Sequence, residues 1–276
     1  DTDRSRGLGD VYKRQVEIDK QRANAIKLAA RLLYLVKADV RLASFDGGIK
    51  HNAVPGNAEV VFATDKFDSL KEGLDALIAD LKEEYRVEDP GLTINITEAT
   101  ADQVYTKDLS DSVIDMVMAL PDGVQYMSKD IEGLVQTSLN NAVILEEDGK
   151  LVLTASVRSA SSSSLREILN VVTIIANRMG AVAREYSAYP AWQYEAVSPL
   201  RDIAEKIYVD MYGKEPHITS IHAGLECGLL KGILPDTDMI SYGPSIFDAH
   251  TPKEHMYISS VGRVWEYTKK LLAALK

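Results

Sequence analysis

The chain has 276 residues, of which 46% are hydrophobic and 26% are charged, a balance typical of a soluble globular protein. Its formal net charge of −10 disfavours nucleic acid and anionic membranes as partners, because both favour clustered Lys and Arg side chains. The single cysteine, Cys227, excludes an internal disulfide and is typical of a cytoplasmic protein, and no apolar run approaches the roughly 20 residues of a membrane-spanning helix.

The N-terminal stretch, residues 1–15, reads DTDRSRGLGDVYKRQ and is basic, polar and without hydrophobic periodicity. It lacks the apolar segment of a secretory signal. We interpret it as a non-native leader translated from adapter or vector sequence. We therefore expect an N-terminally truncated fragment whose native sequence begins at Val16.

The first half of the chain alternates helix and strand patterns. Helices are predicted over 22–36 and 68–85, and strands over 40–44, 58–64 and 92–98. Asp46-Gly47-Gly48 is a hairpin signal between the first two strands. In the third strand Leu92, Ile94 and Ile96 alternate with polar residues, which predicts one buried face.

The middle of the chain repeats this order. Helices are predicted over 108–119 and 161–180, and strands over 135–145, 150–158 and 181–186. Gly180 is the expected stop of the second helix. Strand, helix and strand thus follow one another twice, at 40–98 and 150–187. This order predicts a ferredoxin-like α+β domain, with an antiparallel sheet and helices on one face.

The proline-containing stretch 189–193 interrupts this pattern, and we place a domain boundary near it, separating 16–186 from 187–276. The second part has an α/β pattern. Helices are predicted over 198–213 and 261–275, strands over 217–221 and 237–242, and loops over 222–228 and 243–255. The last helix is expected to bury one face, which carries Val261, Val264, Trp265, Thr268, Leu271, Leu272 and Leu275.

Two loops of the second part carry histidines. His250 precedes Thr251-Pro252, and a proline-stiffened loop at a strand end suits an imidazole metal ligand, while the alternative is an exposed histidine in a turn. His222 and Glu226 are one helical turn apart, which fits a metal pair, an acid/base pair or a helix cap. Cys227 is a candidate thiol nucleophile or, given its apolar neighbours, a buried inert cysteine.

Two residues of the first part are candidates for substrate binding. Arg158 lies on the polar face of its predicted strand, where a guanidinium either holds a carboxylate through two hydrogen bonds or is solvated. Asn52 precedes a proline loop and is most simply a turn residue.

Six motifs in order resemble those of a known family. They are Glu17-Ile18-Asp19-Lys20-Gln21-Arg22-Ala23-Asn24-Ala25, Gly48-Ile49-Lys50-His51-Asn52-Ala53-Val54-Pro55, Gly133-Leu134-Val135-Gln136-Thr137-Ser138-Leu139-Asn140, Ser156-Val157-Arg158-Ser159, His222-Ala223-Gly224-Leu225-Glu226-Cys227-Gly228, and Gly243-Pro244 through His250-Thr251-Pro252-Lys253-Glu254. The chain resembles the aminoacyl-histidine (Xaa-His) dipeptidases of the co-catalytic zinc peptidase family, which includes carnosinase and carboxypeptidase G.

This resemblance implies a lid domain, also used for dimerisation, at 16–186 and the C-terminal portion of a zinc-binding α/β catalytic domain at 187–276. It implies that His250 is a zinc ligand, that Asn52 and Arg158 reach the substrate, and that His222 and Glu226 line its pocket. The implied cofactor is a pair of zinc ions, with cobalt or manganese as alternatives. The implied partners are a dipeptide substrate and a second copy of the chain.

The family's other metal ligands and its general-base glutamate precede the lid, and no residue before Val16 matches them here. The lid turn Gly-Gly-His-Ser-Gly is also replaced. We therefore expect this chain to be inactive by itself. The alternatives are a non-catalytic dimerisation or peptide-binding module, and a cysteine hydrolase that uses Cys227.

Overall fold

The computed structural model describes residues 18–188, 192–219, 226–248 and 253–275. The chain forms two compact units. The first unit comprises Asp1–Tyr126, Thr137–Ser159 and Ser163–Tyr186, and the second comprises Met127–Gln136, Ala160–Ser162 and Ser187–Lys276. None of the helices in these described ranges is both long enough and apolar enough to cross a membrane.

The helices and strands of the described residues confirm the mixed α/β class. The helices are α1 (Ala25–Val36), α2 (Phe67–Glu84), α3 (Lys107–Ala119), α4 (Ser162–Arg178), α5 (Pro199–Tyr212), α6 (Glu226–Ile233) and α7 (Ile258–Ala274). The strands are β1 (Arg41–Gly47), β2 (Ala58–Ala63), β3 (Gly123–Met127), β4 (Val135–Glu147), β5 (Lys150–Ser159), β6 (Ile246–Phe247) and β7 (His255–Met256). Sequence patterns did not predict β3, nor β6 and β7, which begin within the predicted loop 243–255.

The sheet of the first unit has the order β2-β1-β4-β3, and β5 also pairs with β4. β1 pairs antiparallel with β2, and Gly47 lies opposite Ala58 at one end and opposite Ile144 of β4. β4 and β5 form an antiparallel hairpin through Asp148 and Gly149, whose φ angles of 50° and 69° fit a type I′ turn. The predicted antiparallel sheet is therefore confirmed.

The core of the first unit lies between this sheet and three helices, α1, α2 and α3. Its members come from every one of these layers, because each amphipathic element buries its apolar face against the others. The buried residues include Ile26 and Leu33 of α1, Leu42 and Phe45 of β1, Leu70 and Leu74 of α2, Ile114 and Val117 of α3, and Ile144 of β4.

A buried polar network closes the edge of β4 that lies between β1 and β3. The backbone N–H of Asn141 donates to Oδ1 of Asp122 at 2.9 Å, and its carbonyl oxygen accepts from Nδ2 of Asn24 at 3.1 Å. The Asn141 side chain also donates to Asp122 Oδ1 at 3.0 Å. Side chains therefore take the place of a neighbouring strand at Asn141, because a buried backbone amide needs a partner.

Asn24 also begins α1. Its Oδ1 accepts from the N–H groups of Ile26 and Lys27 at 3.0 and 3.2 Å, the bonds expected of an N-cap asparagine. The ammonium group of Lys27 in turn donates to the carbonyl oxygens of Val117 and Leu120, both at 2.7 Å, and so caps the end of α3. The start of α1 and the end of α3 are thus both capped by side chains at the N-terminal end of α1.

The predicted strand at 92–98 is wrong, although its alternation is real. Leu92, Ile94 and Ile96 are half-buried and the residues between them are exposed, but the segment is not part of a strand. The edge of β1 accepts a hydrogen bond at Leu42 O from the N–H of Tyr105 at 2.7 Å instead. Alternation reports which side chains are buried, whereas a strand also needs a backbone neighbour.

The hairpin turn at Asp46-Gly47-Gly48 is also misplaced. Asp46 and Gly47 belong to β1 and pair with β2, and the chain leaves the strand at Gly48, whose φ is +72°. A longer loop, residues 48–57, follows. The N–H of Gly48 closes this loop by donating to Asn57 O at 3.0 Å.

Helix α4 ends as predicted, but no strand follows it. Gly180 has φ +75°, and the N–H of Ala181 donates to Ala176 O at 2.9 Å, the bond of a Schellman cap. The predicted strands at 181–186 and 237–242, and the described part of 217–221, are irregular. Val182 and Tyr186 are exposed, so burial does not favour a strand there.

In the second unit, α5 begins and ends where its sequence predicts. Ser198 caps it by accepting from the N–H of Arg201 at 3.1 Å, and Gly213 ends it with φ +67°. The carboxylate of Asp238 accepts from Ser198 Oγ at 2.7 Å and from the N–H of Leu200 at 2.8 Å, which ties a later loop to this helix start.

Helix α7 packs on α5 through a face that matches the predicted one only in part. Tyr267, which lies outside the predicted face, is buried, and its hydroxyl donates to Ala204 O at 2.8 Å. Of the predicted face Leu271 is buried, whereas Val261, Trp265 and Leu272 are exposed. Spacing identifies an apolar stripe, but the neighbouring helix decides which stripe is covered.

Gly48→Ala should destabilise the first unit by about 2 kcal/mol or more, because φ is positive there and a Cβ atom would lie 1.9 Å from Ala142 O. Gly73→Ala in α2 is the matched control, since a Cβ atom there meets no atom within 4 Å and alanine favours helix by about 1 kcal/mol. Urea unfolding followed by far-ultraviolet circular dichroism measures both. Equal stability of the two variants would contradict this close packing.

Asp122→Ala should lower the free energy of unfolding by about 3 kcal/mol, because the donors of Asn24 and Asn141 lose an acceptor in a buried site. Asp122→Asn keeps an acceptor oxygen and should lose about 1 kcal/mol or less. Thermal and urea unfolding of both variants test this order. Equal losses in the two variants would show that the negative charge, which both substitutions remove, stabilises the network rather than the acceptor.

The same residue predicts a pH dependence. Burial raises the pKa of Asp122, against the opposing effects of its hydrogen bonds from Asn141 and the charge of Lys27. Between the ordinary and the raised pKa the folded chain binds more protons than the unfolded chain, so stability should fall as pH rises through that interval. Asp122→Asn should remove this slope when urea unfolding is repeated from pH 4 upward.

Candidate functional site

The polar face of the β4–β5 hairpin is where the structure brings candidate residues together. In the antiparallel register Ser138 lies opposite Arg158, and Asn140 lies opposite Ser156. Directly opposed residues present their side chains to one face, and residues two apart on a strand share that face. These four side chains therefore lie on one face, and Leu139 lies on the other, against Val157.

Arg158 is half-buried on this face. Burial lowers the pKa of its guanidinium, because a charged group loses hydration there, yet an arginine remains protonated at neutral pH. A partly dehydrated guanidinium gains more than an exposed one from a carboxylate that accepts two parallel hydrogen bonds. The position thus suits an anionic group of a ligand.

Asn52 lies in a tight turn within the loop 48–57. The N–H of Ala53 closes the turn by donating to Lys50 O at 3.2 Å. Asn52 itself is half-buried, and the next residues, Ala53 and Val54, are buried. The turn therefore holds an amide side chain at the surface while the chain on its C-terminal side is packed into the protein.

Asn140 connects this turn to the polar face. Its Nδ2 donates to the carbonyl oxygen of Ala53 at 2.7 Å in a buried hydrogen bond. Asn140 lies two residues from Ser138, which is opposite Arg158, and such diagonal neighbours are about 7 to 8 Å apart. The hydrogen bond to Ala53 O thus joins the turn of Asn52 to Asn140, whose strand position shares a face with Arg158.

The other predicted site residues belong to the second unit. Glu226 is exposed and is the first residue of α6, where a carboxylate favours the positive end of the helix dipole. Cys227, the next residue, is half-buried. His222 and His250, the predicted pocket and metal residues, lie outside the described residues, so their environment stays a prediction.

The two strands that flank the segment 249–252 are paired. β6 and β7 form an antiparallel pair in which Phe247 lies opposite His255. Their rings stack, with centroids 5.3 Å apart and planes inclined by 16°. Nδ1 of His255 lies 2.9 Å from Lys253 O. Phe247 and His255 therefore lie side by side.

The described residues do not by themselves indicate a bound metal ion. Within the ranges that the structure covers, no three His, Cys, Asp or Glu side chains come close enough to hold one ion. The donors that are described therefore do not form a dinuclear centre. A metal site in this chain would depend on residues outside those ranges, such as His250.

The sequence of β4 contains one signal that points to Asn140, which is an unusual number of polar residues in a buried strand. β4 is buried on both faces over 137–142, yet four of these six residues are polar: Thr137, Ser138, Asn140 and Asn141. Polar side chains are rare in such a strand unless each has a hydrogen-bond partner. Their number predicts a network, but the partners, Ala53 and Asp122, are distant in sequence and are found only in the fold.

Comparisons with known proteins agree with the resemblance found in the six motifs. A family model described as a peptidase dimerisation domain matches residues 11–89. The chain is 34% identical over 261 residues to the cytosol non-specific dipeptidase of Escherichia coli (strain K12), which covers 93% of this chain and 54% of that protein.

A solved structure gives the same relationship. The crystal structure of aminoacylhistidine dipeptidase from Vibrio alginolyticus has a TM-score of 0.83 and 36% identity, over 91% of this chain and 52% of that one. The chain spans about half the length of the relatives it matches. Sequence, family model and fold agree, and all three show that this chain is similar to peptidases of the M20 family.

Proposed function

We propose that this chain supplies the lid and part of the catalytic domain of a zinc-dependent dipeptidase that acts on Xaa-His and related dipeptides. Residues 16–186 are the lid and dimerisation domain, and residues 187–276 are the C-terminal portion of the catalytic domain. The family relationship supports this division, as does the end of the first compact unit at Tyr186.

The observations that support the proposal are the position of Arg158 on the polar face of the hairpin and the hydrogen bond that joins the Asn52 turn to Asn140. Arg158 binds the C-terminal carboxylate of the dipeptide through two charge-assisted hydrogen bonds. Asn52 donates its side-chain amide to the scissile carbonyl or to the carboxylate. These groups of a dipeptide are about one residue apart, roughly 3.6 Å, so neighbouring side chains on one face suit both.

The metal part of the proposal rests on the resemblance. His250 is a zinc ligand, and His222 and Glu226 line the substrate pocket beside the metals. A bound zinc pair would activate a water molecule and polarise the peptide carbonyl. The residues of this chain that we assign to the substrate bind and orient it, whereas the general base and the remaining ligands are not assigned to any described residue.

The proposed homodimer and the proposed cellular location are inferred mainly from the relatives. The match of residues 11–89 to a peptidase dimerisation domain supports a homodimer formed through the lid. A cytoplasmic location is supported by the single cysteine, which fits a reducing compartment, and by the name of the cytosol dipeptidase of E. coli.

A peptide-binding module without catalysis is the second candidate. The polar face that carries Arg158 recognises a carboxylate without a metal, and the described residues contain no three-donor cluster. Binding of dipeptides without turnover is therefore a property that the chain can have by itself.

The purified 276-residue chain should not hydrolyse β-alanyl-histidine with Zn²⁺ added, because one assigned imidazole cannot hold a zinc pair. Release of free histidine, measured by chromatography, tests this. The full-length Vibrio alginolyticus relative serves as the positive control. Zinc-dependent turnover by the chain alone would show that its own residues complete a zinc pair and would contradict this prediction.

Arg158→Ala should weaken dipeptide binding roughly 10- to 100-fold, the loss expected for a hydrogen-bonded charged pair. Isothermal titration with β-alanyl-histidine and with its C-terminal amide separates the carboxylate from the rest of the ligand. The amide should bind both proteins equally weakly. Arg166→Ala, on an exposed arginine of α4, is the control, and the proposal fails if both substitutions have the same effect.

A further inference from the structure

Asn140 is a buried residue whose two amide atoms have different partners. It is 6% exposed in the middle of β4. Nδ2 donates to Ala53 O at 2.7 Å, and Oδ1 accepts from Nδ2 of Asn24 at 3.4 Å. The donor and the acceptor end of the amide are thereby distinguished, since a flipped amide would face a carbonyl oxygen with its own oxygen.

The start of the loop 48–57 also packs against β4. Gly48 packs so closely that a Cβ atom there would lie 1.9 Å from Ala142 O. The loop is thus attached at Gly48 and at Ala53, and both contacts are made to residues 140–142. The residues between, including Asn52, have their positions fixed from both sides.

The N-terminal end of α1 supports the same arrangement. Asn24, which accepts from two N–H groups of that helix, donates to Asn140 and to Asn141 O. The N–H of Ala25 donates to Pro55 O at 3.0 Å, which attaches the loop to the helix a second time. The turn, the helix start and the strand therefore form one connected hydrogen-bonded unit.

We propose that Asn140 is a positioning residue for substrate binding: its amide holds the Lys50–Ala53 turn so that Asn52 stays near the face that carries Arg158. The inference rests on the proposed function and deepens it. Without the amide, Ala53 O is a buried acceptor without its partner, and the turn relieves this by moving toward water. Asn52 then leaves the face that binds the ligand, although Arg158 keeps its place in β5.

Asn141 provides a matched control. It is the next residue, is fully buried and belongs to the same network, but its side chain donates to Asp122 and to Pro121 O rather than to the turn. Asn141→Ala therefore reports what loss of a buried asparagine does to stability. Asn140→Ala adds the loss of the contact with Ala53.

The experiment compares Asn140→Ala, Asn141→Ala and the unsubstituted chain. Hydrogen exchange of the Ala53 amide, which bonds to Lys50 O, reports the turn, and exchange within β5 reports the hairpin. Titration with β-alanyl-histidine, followed by the side-chain amide signal of Asn52 in NMR spectra, reports the site. Asn140→Asp has the same size but no amide donor. It is measured as well, because it still tests the inference if the alanine variant does not fold.

We expect Asn140→Ala and Asn140→Asp to speed Ala53 exchange at least tenfold and to weaken dipeptide binding at least tenfold, with β5 exchange as in Asn141→Ala. Equal exchange at Ala53 in the Asn140 and Asn141 variants would overturn the inference. So would a loosened turn with unchanged binding. Failure of the unsubstituted chain to bind, or an effect of Arg158→Ala no larger than that of Arg166→Ala, would instead contradict the proposed function.

Discussion

The first unit depends on how β4 satisfies its backbone at Asn141. β1 pairs with β4 at Ile144, whereas the backbone N–H and C=O of Asn141 bond to side chains. Asp122 accepts its N–H and Asn24 donates to its carbonyl oxygen. A buried amide without these partners would cost several kcal/mol in an apolar environment, a large part of the stability of a domain.

The start of α1, the end of α3, the loop 48–57 and β4 are coupled. The reason is that several side chains of this network form hydrogen bonds to more than one of these segments. Asn24 caps α1 and bonds to β4, and Lys27, one turn later, caps the end of α3. Asn140 then extends the network to the turn that carries Asn52. The proposed substrate-binding face is therefore built on the most buried polar part of the fold, which gives its side chains a rigid support.

The second unit is organised differently, around helix packing rather than around a sheet. Tyr267 of α7 contacts the rings of Tyr208 and Tyr242 and bonds to Ala204 O of α5. Asp238 holds the start of α5 in place. Tyr267 and Leu271 lie on the covered side of α7, and Trp265 on another side is exposed.

The sequence by itself determined the helices, the β4–β5 hairpin and the candidates Arg158 and Asn52. Local signals are sufficient for these, because a cap such as Ser198, a stop such as Gly180 or a turn such as Asp148-Gly149 acts on adjacent residues. The tertiary structure alone decided that 92–98 is not a strand, and that Asn140 joins the Asn52 turn to the face of Arg158. The hydrogen bond from Asn140 to Ala53 spans 87 positions, and no local pattern encodes such a contact, since it depends on how distant segments pack.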